Sequence, residues 1–430
     1  MTGPRPPSPL KGRPLSLKAY GAAAGLIAPL ARPLLEARAR RGKEDPERLE
    51  ERLGHASAAR PAGPLAWIHA VSVGESVSAL PLIARLAAER PDLALLVTSG
   101  TRASAEIMAR RLPPGATHQY APVDTPGAVA RFLAHWRPDV GLFVESELWP
   151  NLILAARAAG ARLALISARM TEKSARAWRA RPSAVGSMLK SFDLILAQDG
   201  GTAARIAGFG GEVDGRLNLK RVGEPLGADA AEVARLKGMI GERRVVVAVS
   251  THSPEEALVV RAVAAADAEA LTIVVPRHPQ LGDQVAHNLA GWRIARRSAG
   301  EPIGADTDVY LADTLNELGL SLRLADVAVV GKSFGPEVGG HNPLEPARLG
   351  VGSISGPAVE NFAEVYDEMA AAGAALIAEG EGELAAMLAA LIDEPDRLAA
   401  LGDAARAYAA AQGDQLAAAL DRIRPLLPAA

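Results

Sequence analysis

Val327-Ala328-Val329-Val330-Gly331, followed by Gly339-Gly340-His341-Asn342-Pro343-Leu344-Glu345-Pro346, reads as a strand, a turn and a helical start. The first run has no polar alternation, the pattern of a parallel strand covered on both faces. Pro343 and Pro346 admit the chain to a helical turn at Ala347-Arg348-Leu349, since a proline costs nothing where the N–H would be unpaired anyway. Paired glycines allow close approach of the backbone to a ligand, and a helix start offers free N–H groups. Glu345 would lie in the first turn, able to accept from a ligand hydroxyl. The helix dipole favours a carboxylate there too, so capping alone explains it as well.

The same logic repeats outward from this stretch. Apolar runs at Ala66–Val71, Ala94–Thr98, Val140–Val144, Arg162–Ser167 and Leu194–Ala197 alternate with Ala/Leu-rich helical segments. A second series follows at Arg244–Ser250, Thr272–Pro276, Val309–Ala312, Val327–Val330 and Val351–Ser355. Such alternation predicts α/β architecture with two doubly wound parallel sheets. The turn-rich Gly223-Glu224-Pro225-Leu226-Gly227 marks the join, giving domains at 51–224 and 225–430, with terminal helices expected to pack back on the first. Polar clusters follow nearly every strand, and ligands of doubly wound sheets bind beyond the carboxyl ends. An interdomain cleft is the expected site.

Composition narrows the partners. The chain has 430 residues and a formal net charge of −2, so nothing global argues for nucleic acid. It contains no cysteine, which excludes disulfides and thiolate metal sites, and its histidines show no paired metal spacing. No bound metal and no cofactor are expected. Residues 1–50 form a separate N-terminal segment. Ala19–Ala31 is mostly apolar but broken by Pro29, too short for a spanning helix, and Arg32, Arg38, Arg40, Arg41 and Lys43 follow it. An apolar patch beside positive charge suits attachment to an anionic membrane surface; a helix packed on the first domain is the plain alternative.

Several strand ends carry groups with chemistry. Ser72-Val73-Gly74-Glu75 leads into a helix, and Glu75 there can be a general base if desolvated or a simple helix-start carboxylate. Glu145-Ser146-Glu147-Leu148-Trp149-Pro150-Asn151 places two carboxylates and an indole at a strand terminus, where buried charge needs partners. Glu145, nearest the strand, is the favoured candidate. Arg169, Lys173, Arg176, Arg179, Arg181 and Lys190 face either an anionic partner or solvent. Pro276-Arg277-His278-Pro279 offers an arginine for a phosphate or carboxylate. Asp313-Thr314-Leu315-Asn316-Glu317 starts another helix, explained equally by capping or by a nucleotide pocket shared with Asn342 and Glu345.

In this order, Trp67–Glu75, Glu145–Asn151, Arg169–Ser174, Ser250-Thr251-His252, Pro276–Pro279, Asp313–Leu318 and Gly339–Pro346 resemble the 3-deoxy-D-manno-octulosonic acid (Kdo) transferases, and the likeness runs from about Lys11 to Leu427. The resemblance implies a GT-B fold, two Rossmann-like domains around a cleft. It implies metal-independent, inverting transfer of Kdo from CMP-Kdo to a lipid A precursor, in lipopolysaccharide synthesis at the cytoplasmic face of the inner membrane. It assigns Glu75 as base and Glu145 as assisting carboxylate. CMP contacts map to Pro276, Arg277, Leu315, Asn316, Glu317, Asn342, Pro343, Leu344 and Glu345.

Some positions depart from the family pattern. A Gly-x-Leu-Lys motif, whose lysine is implied to stabilise the transition state, meets Gly215-Arg216-Leu217-Asn218-Leu219-Lys220. One register puts Asn218 at the lysine position; the preferred one keeps Lys220 and loses the glycine. Asn316 and Lys332 stand where the family has glycine, and Pro254 replaces another. The departures leave open a catalytically weakened paralogue that binds CMP-sugar or serves another acceptor or 2-keto sugar.

Overall fold

The computed structural model describes residues 14–335 and 339–429, so residues 1–13 of the N-terminal segment lie outside the described residues. The chain divides into two compact units, residues 1–223 with 413–430, and residues 224–412. Residues 413–430, numbered with the 225–430 domain above, thus group with the first unit.

The first unit is built on β1 (Leu65–His69), β2 (Ala94–Ser99), β3 (Thr117–Tyr120), β4 (Val140–Val144), β5 (Arg162–Ala168), β6 (Leu194–Ala197) and β7 (Gly215–Arg216). They form one parallel sheet in the order β3-β2-β1-β4-β5-β6-β7. Every residue of β1 and β4 is buried, because helices cover both faces. Alternate residues point to opposite faces. Ala66, Ile68, Leu142 and Ile166 meet Leu82, Ile83 and Leu86 of the helix Val73–Glu89, together with Leu420 and Ile423 of the C-terminal segment. Leu65, Trp67, Phe143 and Leu165 meet Phe132, Trp136 and Ile153 on the other side. Trp67 lies 5.1 Å from Phe132 in a tilted pair and 5.0 Å from Phe143 edge-on, and each such pair adds about 0.5–1.5 kcal/mol to simple burial.

The second unit repeats the plan with β8 (Val245–Thr251), β9 (Leu271–Pro276), β10 (Ile294–Arg296), β11 (Val309–Leu311), β12 (Val327–Val330), β13 (Gly352–Ser355) and β14 (Ala375–Ile377). The parallel order is β10-β11-β9-β8-β12-β13-β14. Val246, Ala248, Val274 and Val329 enter one core layer, while Val247, Val249, Ile273 and Ala328 enter the other.

The two ends of each sheet are used differently. At the amino ends, aspartates entering one strand pin the start of its neighbour: Asp139 accepts from Leu65 N at 2.8 Å, Asp193 from Leu163 N at 2.9 Å and Asp326 from Val245 N at 2.7 Å. Those carboxylates are structural. The strand order reverses between β1 and β4 and again between β8 and β12, and the carboxyl ends beside such reversals are where doubly wound sheets hold ligands.

Candidate functional site

At the carboxyl end of β1, Ser72 caps the helix Val73–Glu89. Its Oγ accepts from Glu75 N at 3.2 Å, and Glu75 Oε2 accepts from Val71 N at 2.7 Å and Ser72 N at 3.2 Å. This is a complete capping box. Capping alone would hold the carboxyl below its ordinary range. Burial outweighs those backbone bonds, and with the nearby Glu145 charge it pushes the Glu75 pKa up. Glu75 is therefore both a cap and a desolvated carboxylate, more basic than an exposed one and so suited to accept a proton.

Glu145 follows β4, the strand beside β1, with a backbone φ of 59°. Left-handed geometry is uncommon for a residue with a side chain and gathers at functional sites. Glu145 is 4% exposed, and Lys220 Nζ stands 2.8 Å from its Oε1. The Lys220 segment is set by an irregularity in β5. The register with β6 shifts between Leu165 and Ala168, where Ser167 adopts φ 50°, and Ser167 Oγ then accepts from Leu219 N at 3.2 Å. Asn218 is occupied otherwise, its Oδ1 accepting from Gln198 Nε2 at 3.0 Å and Lys220 N at 3.1 Å. Of the two registers read from sequence, the side chain that reaches Glu145 is Lys220.

Sequence reasoning set Glu147 aside in favour of Glu145. Its carboxylate accepts from Trp149 Nε1, and burial together with the charges of Glu75 and Glu145 pushes its pKa up to about 7. The signal was present in the paired carboxylates, but that Glu147 would lie against an indole and the charges of Glu75 and Glu145 depends on how the chain folds.

In the second unit, Pro276 ends β9, and Arg277 N donates to Thr251 O at 3.0 Å, leaving the guanidinium exposed. His252 follows β8 and His341 follows β12; their Nε2 atoms are 3.0 Å apart and the rings are stacked at 5.2 Å. His278 sits across from His252 at 5.7 Å. Burial and the fields of His252, Arg277 and Lys332 depress His341 to about 4. Glu255, unremarked in the sequence, organises this end: its Oε1 accepts from Lys332 N at 2.6 Å and His252 N at 2.7 Å, and its Oε2 from Ser333 N at 3.3 Å.

The Gly339–Pro346 stretch differs in detail from expectation. The helix is the single turn Leu344–Ala347, too short for a large dipole, and Asn342 Oδ1 rather than Glu345 accepts from its Leu344 N, at 3.0 Å. Pro343 and Leu344 are buried. Gly339 and Gly340 have φ of 129° and 68°, and a Cβ on Gly340 would come within 3.1 Å of Val359 Cα. Their close approach is to the chain near Val359 and Asn361. Glu345 is half-buried, and desolvation raises its pKa, with Arg348 and Arg277 opposing.

Leu315 is 73% exposed, and Asn316 holds φ 63°, a conformation asparagine tolerates better than most residues. Glu317 precedes the helix Leu318–Leu322, and its carboxylate is gripped by Arg297 at 2.7 and 3.0 Å and by Thr314. Asn316, Glu317 and Arg297 border an open pocket of about 500 Å³ with Asp229, Glu232 and Leu320. Among the described residues no group of His, Cys, Asp and Glu side chains is placed to hold a metal ion.

The N-terminal segment forms the helices Leu15–Ile27 and Ala31–Arg40. One side packs down: Leu17 joins Leu154 and Ala184, and Tyr20 OH donates to the buried Asp124 Oδ2 at 3.0 Å. The other presents Leu26, Ile27, Leu30 and Leu34, each at least 59% exposed. Among the described residues no helix is long and apolar enough to cross a membrane. Arg32 and Arg38 pair with Glu50 and Glu44, while Arg40, Arg41 and Lys43 are exposed.

Comparison with known proteins places these features in a family. Residues 47–221 match the family model described as 3-deoxy-D-manno-octulosonic-acid transferase (kdotransferase). A 3-deoxy-D-manno-octulosonic acid transferase of Bordetella pertussis is 37% identical over 392 residues, covering 87% of this chain and 91% of the relative. A probable mitochondrial 3-deoxy-D-manno-octulosonic acid transferase of Arabidopsis thaliana is 35% identical over 360 residues, covering 80% of each chain. Among solved structures, a glycosyltransferase from Rickettsia africae ESF-5 superposes with a TM-score of 0.56 at 11% identity, covering 85% of this chain and 99% of that one. Two doubly wound parallel sheets of this kind are the make-up of the GT-B class. By sequence similarity over most of its length, the chain belongs to the 3-deoxy-D-manno-octulosonic acid transferase family of glycosyltransferases.

Proposed function

We propose that the chain transfers Kdo from CMP-Kdo to a lipid A precursor, a step of lipopolysaccharide synthesis. One observation carries the reading: a desolvated Glu75 with a raised pKa lies at the same switch point as the Glu145–Lys220 pair. An acceptor hydroxyl attacks the anomeric carbon of Kdo as its proton passes to Glu75. The bond from that carbon to the phosphate oxygen breaks, and CMP leaves with the electron pair. A single displacement inverts the anomeric centre. Lys220, held by Glu145, supplies positive charge as negative charge redistributes, and Arg277 suits the departing phosphate.

The exposed apolar row Leu26, Ile27, Leu30 and Leu34, with Arg40, Arg41 and Lys43, supports peripheral attachment to an anionic leaflet, the cytoplasmic face of the inner membrane. A weakened paralogue is the alternative that the departures from the family pattern motivate; the 2.8 Å contact of Lys220 with Glu145 supports the transferase reading over it. Incubation with CMP-Kdo generated in situ and tetraacylated lipid A precursor tests the reading by mass gain of the acceptor. CMP binding without any mass gain rejects it.

A further inference from the structure

Lys332 holds a backbone φ of 63° at the carboxyl end of β12. In that region an L side chain crowds its own backbone, and glycine alone enters without strain. The strain is held from several sides. The buried Glu255 accepts from Lys332 N at 2.6 Å, and Lys332 O accepts from Gly340 N at 2.9 Å. The same carboxylate accepts from His252 N, and Gly331 O accepts from His341 N at 3.2 Å, so Lys332 is fixed between the two histidine-bearing segments.

Basic side chains gather there. Arg277, Lys332, His252 and His278 all act on His341 to disfavour its cationic form. The carboxylate of Glu255 is engaged by the amides of His252 and Lys332, and burial raises the Glu345 pKa against the opposing fields of Arg348 and Arg277. Gathered cations repel unless an anion joins them. A strained backbone that adds one more cation is explained if that cation binds something.

We propose that Lys332 is a substrate-binding residue whose ammonium pairs with the phosphate of the nucleotide-sugar donor. The left-handed backbone, held by Glu255, keeps it at the strand end where Arg277 also waits. This rests on reading the 224–412 unit as the donor-binding half.

The test is calorimetric titration of CMP and of cytidine into the full chain and into Lys332→Gly and Lys332→Met. Both variants are expected to weaken CMP binding about tenfold, the scale of one charge-assisted contact, and to leave cytidine unchanged. Lys332→Gly relieves the strained φ, so its thermal midpoint is expected at or above that of the parent. CMP affinity unchanged in both variants, with the parent binding CMP, overturns the inference alone. An equal loss for cytidine and CMP also overturns it, because a general disturbance of the pocket would do that. A parent chain that binds no CMP overturns the donor-site reading, and this inference with it.

Discussion

Lys220 Nζ lies 2.8 Å from Glu145 Oε1, an ammonium on an exposed side chain held by a carboxylate that is almost wholly buried. Two backbone irregularities make the contact: Glu145 at φ 59°, and Ser167 at φ 50° holding the amide of Leu219. A pair tied down in this way is preorganised, and preorganised charge is worth most where charge moves during reaction.

Lys220→Ala is therefore expected to lower kcat by about 100- to 1,000-fold, the usual loss for one transition-state contact. CMP affinity, which we assign to the other unit, is expected to stay unchanged. Single-turnover kinetics with calorimetry of CMP checks both; an unchanged kcat removes Lys220 from the mechanism.

Glu147 gives a stability prediction with a definite sign. Its folded-state pKa is raised to about 7, so the folded chain binds a proton that the unfolded chain releases near the ordinary carboxylate value. This contribution to stability is present at low pH and declines as pH rises toward 7. Glu147→Gln is expected to flatten the stability profile between about pH 4.5 and 7 and to stabilise the chain at pH 8 by at most about 3 kcal/mol. Urea unfolding of both proteins across that range decides it. An unchanged slope means the carboxyl is not desolvated as described.

The exposed apolar row is tested by charge. Leu26→Asp and Leu30→Asp are expected to leave stability within about 0.5 kcal/mol, since both side chains already face solvent. Each is expected to reduce sedimentation with phosphatidylglycerol-containing vesicles about tenfold. Sedimentation equal to that of the parent would remove this row as an attachment surface.

The inner strands were legible because both their faces are buried and their residues are nearly all Val, Ile, Leu or Ala. The strands absent from the sequence reading, β3, β7, β10 and β14, are the four edges. Thr117-His118-Gln119-Tyr120 and Gly215-Arg216 carry no apolar run, because an edge pairs on one side only and can be short and polar. Among the candidate site residues of the two units, Glu75, Glu145 and Arg277 announced themselves by following strands. Glu147 and Glu255 did not, since their importance comes from an indole and from backbone amides that converge only on folding. The paired glycines 339 and 340 were legible as glycines, but what they approach, the chain near Val359 and Asn361, lies too far along the sequence to be read from the motif.

The central claim is that Glu75 takes the acceptor proton, and Glu75→Gln tests it most directly. Glutamine retains the acceptor oxygen of the capping box, so the helix start is kept while the base is lost. With CMP-Kdo generated in situ and tetraacylated lipid A precursor, the parent is expected to add Kdo mass to the acceptor. Glu75→Gln is expected to add none while binding CMP with parental affinity. Transfer by Glu75→Gln at the parental rate would contradict the account.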